Sequence, residues 1–207
     1  MKNILLLAVL ALALPTAVFA DSNTDYTNTG GVLTGSSSGL TLTGSVLISV
    51  TGSGGSSIVG TLGSVAFGTG ALLSGSLADG GTFAGGSSSW FTITGNGTNG
   101  LANGTLFTGT FSGPVTLTLI TVCPTSMPTC TVAEGTHLYQ VSGNLAGANG
   151  NGYTVQLSFN TGVGYFDGTV GMGSGDTNIV VPEPGSLGLL GTGLIALAGI
   201  VRRKLKA

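Results

Sequence analysis

Short runs in which apolar residues alternate with threonine or serine recur between residues 21 and 181, and this period of two constrains the fold most. In the longest run, residues 153–160, one face carries Tyr153, Val155, Leu157 and Phe159. Successive side chains of a strand point to opposite faces of its sheet. Each run therefore predicts a half-buried strand with its hydroxyl groups toward water.

Asn-Gly and Asp-Gly pairs separate these runs. They are Asn96-Gly97, Asn99-Gly100, Asn103-Gly104, Asn149-Gly150, Asn151-Gly152, Asp79-Gly80 and Asp167-Gly168. Such pairs supply the positive φ that tight hairpin turns require. Strands joined by hairpins predict an all-β, antiparallel, sandwich-like domain over residues 21–181. A glycine-rich β-solenoid is the alternative architecture.

Charged residues are scarce, at 6% of the chain, against roughly 25% in an ordinary soluble domain. Residues 21–181 contain six of the seven acids and no lysine or arginine, so their net charge is −6 with histidine neutral. A nucleic-acid-binding domain needs clustered basic residues, and that class is excluded. The scarcity of titratable groups also argues against an enzyme and against a cofactor or metal site.

Catalytic constellations are hard to assemble from what remains. The single histidine, His137, is predicted to be a surface residue at the start of a strand. A small hydrolase would need two converging carboxylates, and only the fold can bring together Asp79, Glu134, Asp167 and Asp176. We therefore expect no catalytic residues.

Residues 1–20 predict a secretory signal peptide. Lys2 precedes an uncharged run over residues 4–14, which is too short to span a bilayer. Signal peptidase is then expected to cleave between Ala20 and Asp21. An uncleaved anchor or a core helix is the alternative. Cleavage implies export into an oxidising compartment.

The two cysteines of the chain, Cys123 and Cys130, lie close together in the sequence. In an exported chain such a pair predicts a disulfide bond. A metal site or a catalytic thiol would need partner residues, which the sequence does not supply nearby.

Residues 182–207 predict a C-terminal anchor. Pro182, Glu183 and Pro184 precede an uncharged, glycine-rich stretch over residues 185–201, which is near the lower limit of about 17 residues for a transmembrane helix. The basic cluster Arg202, Arg203 and Lys204 follows at once. Basic residues beside a membrane helix stay cytoplasmic, so the body of the chain is expected outside.

This order of Pro-Glu-Pro, apolar helix and basic cluster resembles the PEP-CTERM sorting signal of Gram-negative bacteria. The resemblance covers residues 182–207 and implies nothing about the fold of the body. It implies recognition by exosortase, transient anchoring in the inner membrane, and then placement at the cell surface or outside the cell. A plain C-terminal anchor with a chance Pro-Glu-Pro is the alternative.

These features together predict an exported structural or adhesive protein, linked through the family resemblance to exopolysaccharide and biofilm. A glycan- or surface-binding module is the alternative, and a threonine ladder on a flat sheet face would favour it. Aromatic rings that stack on sugars would come from Trp90-Phe91 and Tyr165-Phe166. Strand alternation turns only one residue of each pair outward.

Overall fold

The computed structural model of the chain describes residues 22–127, 129–158, 162 and 164–181. Its compact unit is Asn23–Val181. Two single-turn 3-10 segments, Gly86–Ser88 and Thr98–Gly100, accompany the strands. The strands are β1 (Ser22–Thr29), β2 (Val32–Ser36), β3 (Gly39–Gly52), β4 (Ser57–Gly68), β5 (Leu72–Ser76), β6 (Gly80–Phe83), β7 (Trp90–Asn96), β8 (Asn103–Phe111), β9 (Val115–Val122), β10 (Thr136–Gly147), β11 (Gly150–Ser158) and β12 (Thr169–Val181).

Some strands that follow each other in the chain act as two halves of one longer strand, because both halves pair along the same neighbour or the same pair of neighbours. Strands β1 and β2 both pair with β3, and β8 and β9 both pair with β10. Likewise, β4 pairs with β7 and β5 pairs with β6. On their other sides, β7 pairs with β8 and β6 pairs with β9. Each long strand therefore pairs with the next one in the chain.

The pairing also joins the two ends of this series. Strand β12 pairs with β11 on one side and lies beside β1 and β2 on the other. One antiparallel sheet thus closes on itself among the described residues, which leaves few free strand edges. The predicted all-β, antiparallel class is confirmed, but the strands form a single sheet rather than two separate sheets or a solenoid.

The first and last strands place both ends of the compact unit at one end of the sheet. The hydroxyl of Thr27 donates to a carboxylate oxygen of Asp176 at 3.4 Å, and the hydroxyl of Thr29 donates to the carbonyl of Gly173 at 2.8 Å. Strand β1 therefore begins where β12 ends, at what we call the terminal end. The β2–β3 and β5–β6 hairpins lie at the opposite end.

Aromatic side chains fill the interior of the sheet. Phe67 and Phe91 stack with ring centroids 5.9 Å apart, and Phe111 meets both rings edge-on. Phe107 contacts Phe91 from the side, with centroids 6.3 Å apart. All four rings are buried, so they form the main apolar core.

Strand β11 faces the opposite way from the prediction. Its polar residues Thr154, Gln156 and Ser158 are buried, whereas its apolar residues Tyr153, Val155 and Leu157 lie on the outer face. The predicted face also included Phe159, which lies outside the described residues. The sequence pattern was correct, but its inward and outward faces were assigned the wrong way round.

A buried polar network explains this orientation. The amide nitrogen of Asn28 donates to the hydroxyl of Ser45 and to the side-chain oxygen of Gln156, both at 2.8 Å. The amide nitrogen of Gln156 donates to the side-chain oxygen of Asn28 at 3.2 Å and to the hydroxyl of Thr154 at 2.9 Å. In the described part of the chain, no buried side-chain nitrogen or oxygen lacks a partner. Polar side chains whose hydrogen bonds are all formed within the protein can be buried in its core.

No helix within the described ranges has the length and hydropathy needed to cross a membrane. The predicted helix over residues 185–201 falls outside those ranges, as do the signal peptide over residues 1–20 and the predicted cleavage site between Ala20 and Asp21. The boundaries of the predicted segments 1–20, 21–181 and 182–207 stay predictions.

Candidate functional site

His137 is fully buried, which corrects the prediction of a surface histidine. Its ring nitrogens lie 3.0 Å from the carbonyl oxygen of Gly164 and 2.7 Å from that of Val132. The ring of Tyr165 covers it, with centroids 4.4 Å apart. Because β10 pairs with β9 from Thr136 onward, the second residue of β10 points inward. His137 thus connects two loops at the opposite end of the sheet.

Three of the four acids considered for a hydrolase lie on separate loops. Asp79 accepts a hydrogen bond from the Ser76 hydroxyl at 2.9 Å in the β5–β6 hairpin. Glu134 accepts two from Thr131, both at 2.8 Å, which hold its pKa below the usual value. Asp167 is exposed before β12. Within the described residues, no group of three or more His, Cys, Asp or Glu is placed to hold a metal ion.

The fourth acid, Asp176, lies beside a carboxylate that the sequence did not indicate. Asp25 on β1 and Asp176 on β12 share the outer face of the sheet, in a depression of about 250 Å³ that Tyr153, Val155 and Asn178 also line. Partial burial and the neighbouring Asp176 carboxylate raise the pKa of Asp25 from 3.8 to about 6. Asp25 therefore holds its proton to a higher pH than an isolated aspartate does.

We expect the free energy of unfolding to fall as the pH rises from about 4 to about 6, because the folded form holds the Asp25 proton more tightly than the unfolded chain. Asp25→Asn removes the repulsion and should stabilise the protein by about 1 kcal/mol at pH 7 after solvent screening. At pH 3 the variant should match the original. Urea denaturation at both pH values measures the difference. Asp167→Asn, at an exposed acid, is the control, and equal stability of Asp25→Asn and the original protein at pH 7 would contradict the prediction.

A second feature of the outer surface is a shallow cleft of about 290 Å³ at the β2–β3 hairpin. Hydroxyl groups and glycines line it: Thr34, Gly35, Ser36, Ser38, Gly39, Thr41 and Thr69. The Ser36 and Ser38 hydroxyls bond to each other at 2.8 Å. The Thr69 hydroxyl accepts from the backbone nitrogen of Leu40 at 2.9 Å. The lining contains no charged side chain.

Trp90 lies two strands away from this cleft in the same cross-strand row. Thr41 on β3 pairs with Gly68 on β4, and Gly68 pairs with Trp90 on β7. A Cβ atom on Gly68 would lie only 2.9 Å from Cε2 of the indole, so the ring occupies the space above this glycine. Trp90 is 44% exposed, whereas Phe91 is fully buried. The predicted alternation of this pair is confirmed.

The second aromatic pair follows the same rule. Tyr165 is 41% exposed, and Phe166 is buried against Tyr139 with ring centroids 5.7 Å apart. The exposed ring of Tyr165 nevertheless has one face covered by His137. Trp90 and Tyr165 are therefore the two exposed rings among these four, and each has one side against a neighbour, Gly68 or His137.

The predicted disulfide is present between Cys123 and Cys130, whose Cα atoms lie 5.6 Å apart. The backbone nitrogen of Cys130 donates to the sulfur of Cys123 at 3.1 Å. The bond closes the connection between β9 and β10, directly before the strand that carries His137.

Loss of this disulfide should lower the free energy of unfolding by about 2.5 kcal/mol, because the loop it closes is short. The double variant Cys123→Ser, Cys130→Ser measures this loss in a denaturant titration. Met127→Ser, an exposed change within the same loop, is the control and should change stability by less than about 0.5 kcal/mol. A thiol-reactive mass tag should add only after reduction, and labelling of the native protein would contradict the bond.

Comparison with known proteins adds one finding. A family model for the PEP-CTERM protein-sorting motif matches residues 180–204, which confirms the resemblance inferred from the sequence. The match includes Pro182, Glu183 and Pro184 and the basic residues Arg202, Arg203 and Lys204, all of which lie outside the described residues. No curated protein and no solved structure matches the chain.

Proposed function

We propose that this chain, a PEP-CTERM protein by its sorting motif, is an exported, non-enzymatic structural or adhesive protein that lies in contact with exopolysaccharide at the cell surface or in the extracellular matrix. The match at residues 180–204 supports the export and sorting part of the proposal. The motif implies export, exosortase as the processing partner and a C-terminal membrane anchor before processing.

The architecture of the domain supports a passive role outside the cell. A closed sheet leaves few free strand edges for unwanted pairing with other chains, and a disulfide reinforces one loop. Both ends of the compact unit lie at the terminal end of the sheet.

The charge of the domain limits the partners it can hold. Residues 21–181 carry a net charge of −6 with His137 neutral and contain no lysine or arginine, so anionic polymers are repelled at low ionic strength. Contact with polysaccharide must then be covalent or must use hydroxyl and aromatic groups on an uncharged surface.

The sorting step has a direct test. In a host that lacks exosortase, or with Glu183→Ala, the full-length chain should accumulate in the inner membrane, with Arg202, Arg203 and Lys204 in the cytoplasm. Glu134→Ala, at an acid in a loop of the folded domain, is the matched control and should be processed normally. Mass spectrometry of the processed form should find Asp21 as its first residue and no basic cluster.

Two outcomes would contradict the sorting proposal. If the wild-type protein retains residues 182–207 and stays in the membrane, the plain C-terminal anchor is correct. If Met1 is still present on the exported protein, residues 1–20 are an anchor rather than a cleaved signal peptide.

A further inference from the structure

We propose that the outer face formed by Trp90, Gly68 and the hydroxyl-lined cleft binds a neutral polysaccharide chain, with one pyranose ring stacked on the indole. The inference deepens the proposed function, on which it rests, by naming the class of polysaccharide and the surface that contacts it. We call this surface the Trp90 face.

The first observation is a tryptophan ring held in place with part of its surface open to solvent. Gly68 leaves the space that the indole occupies, and a side chain there would displace the ring. Trp90 is nonetheless 44% exposed. Large aromatic side chains are usually withdrawn from water, and an exposed one is a common anchor at binding surfaces. Contact with Gly68 restricts the indole on one side, and a restricted ring loses less conformational entropy than a freely rotating one when a ligand stacks on it.

The second observation is a row of threonines that leads away from the indole. Thr41, Thr34 and Thr169 occupy matching positions on β3, β2 and β12, beyond Gly68 in the same cross-strand row. Neighbouring strands lie about 4.8 Å apart, a spacing close to the length of one pyranose unit. Beyond Gly68, a chain of sugars that follows the curve of the closed sheet across β3, β2 and β12 would meet one hydroxyl-bearing residue per unit.

The hydrogen-bonding chemistry of this row suits a sugar. A hydroxyl group both donates and accepts, as do the hydroxyls of a pyranose. Thr34 donates to the carbonyl of Thr41 at 3.3 Å, which leaves its own lone pairs to accept from a ligand. Ser36 and Ser38 in the adjoining cleft bond to each other and can exchange that bond for contacts with a sugar.

Charge decides which polysaccharide fits. The cleft and the row contain no ionisable side chain, and the domain that surrounds them carries only acids. A sulfated, carboxylated or phosphorylated glycan would find no cation to pair with and a repulsive field. A neutral glycan carries no charge, so it is not repelled by the acidic residues of the domain.

Two other exposed aromatic residues, Tyr153 and Tyr165, fit this ligand less well. Tyr153, also 44% exposed, lines the depression that holds Asp25 and Asp176, so it lies beside a carboxylate pair and outside the row of threonines. Tyr165 stacks on His137 and lies outside the cross-strand row that contains Trp90 and the threonines. These two tyrosines therefore serve as matched controls for the Trp90 face.

The test uses the full chain in mild detergent and a neutral, linear β-linked gluco-oligosaccharide as the probe. Trp90 is the single tryptophan of the chain, so a change in its fluorescence reports on this surface alone. We expect a saturable change with the neutral probe and none with a carboxylated oligosaccharide of equal length. Sedimentation with an insoluble neutral β-glucan gives an independent measure of binding.

Trp90→Ala should weaken sedimentation by about tenfold or more, as the loss of an aromatic anchor does. The pair Thr34→Val, Thr41→Val removes the hydroxyls at nearly constant volume and should also weaken binding. Tyr153→Ala and Tyr165→Ala should bind like the original protein. Circular dichroism and thermal unfolding show whether each variant is folded.

The proposal is overturned if folded Trp90→Ala still sediments with the glucan, if the fluorescence does not respond, or if the carboxylated probe binds equally well. Adsorption to ice or to a mineral surface without glucan binding would also overturn it, in favour of a surface-binding module. Loss of glucan binding with normal exosortase processing rejects only this inference. Binding with a retained tail rejects only the sorting proposal.

Discussion

Phe91→Ala should lower the free energy of unfolding by about 4 kcal/mol, the cost expected for emptying a buried phenylalanine site. The ring is fully buried and contacts Phe67, Phe107 and Phe111 at centroid distances between 5.9 and 6.3 Å. Removing it deletes apolar burial and three aromatic contacts together. Because the other three rings are held by a closed sheet, they cannot collapse fully into the space.

A loss of this size is a large part of the roughly 5–15 kcal/mol that stabilises a typical domain. Denaturant titration gives the difference directly. Trp90→Ala, one residue earlier on β7 and facing outward, is the matched control and should cost less than half as much. If the two variants are equally destabilised, Phe91 does not occupy the centre of the core.

Local patterns in the sequence were sufficient to predict the all-β class and several of the strands. The apolar residues Leu40, Leu42, Val115 and Leu117 face inward with polar or threonine neighbours between them. The disulfide was also predictable, because a short separation in an exported chain leaves few other partners. Each of these features depends on residues that lie close together in the chain.

The closure of the sheet could not be predicted in this way. It depends on β12 pairing beside β1 and β2, which joins residues from the two ends of the domain. The Asp25–Asp176 pair is a consequence of this closure, whereas the Trp90 face depends mainly on the register of β3 with β4 and of β4 with β7. The alternation of apolar residues and the Asn-Gly and Asp-Gly pairs identify strands and turns, but they do not specify which distant strands become neighbours.

Strand β11 shows a different limit. Its alternation predicts two faces but not which one is inside, and the assignment of Val155 and Leu157 to the interior followed the general preference for apolar cores. In the structure, Asn28 and Ser45 already occupy the facing interior. A polar residue such as Gln156 satisfies them, and a valine would leave their hydrogen-bonding groups unpaired.

Gln156→Ala should therefore lower the free energy of unfolding by about 3 kcal/mol. It leaves the buried side-chain oxygen of Asn28 without its hydrogen-bond donor and opens a cavity. Leu157→Thr, at the next residue, on the outer face, should cost less than about 1 kcal/mol, because it opens no cavity in the core and places a β-branched side chain, which strands favour, on the outer face. Denaturant titration of both variants compares the two faces of β11.

Gly175→Ala probes the same network from the neighbouring strand. Gly175 pairs with Gln156 across β11 and β12, and a Cβ atom at Gly175 would collide with the Gln156 side-chain amide. The added methyl group should displace that amide and destabilise the protein about as much as Gln156→Ala does. Gly54→Ala, where no atom lies within 4 Å, is the control. If Leu157→Thr is costly while Gln156→Ala and Gly175→Ala are tolerated, β11 has its apolar face inside, and the buried network around Asn28 is not part of the fold.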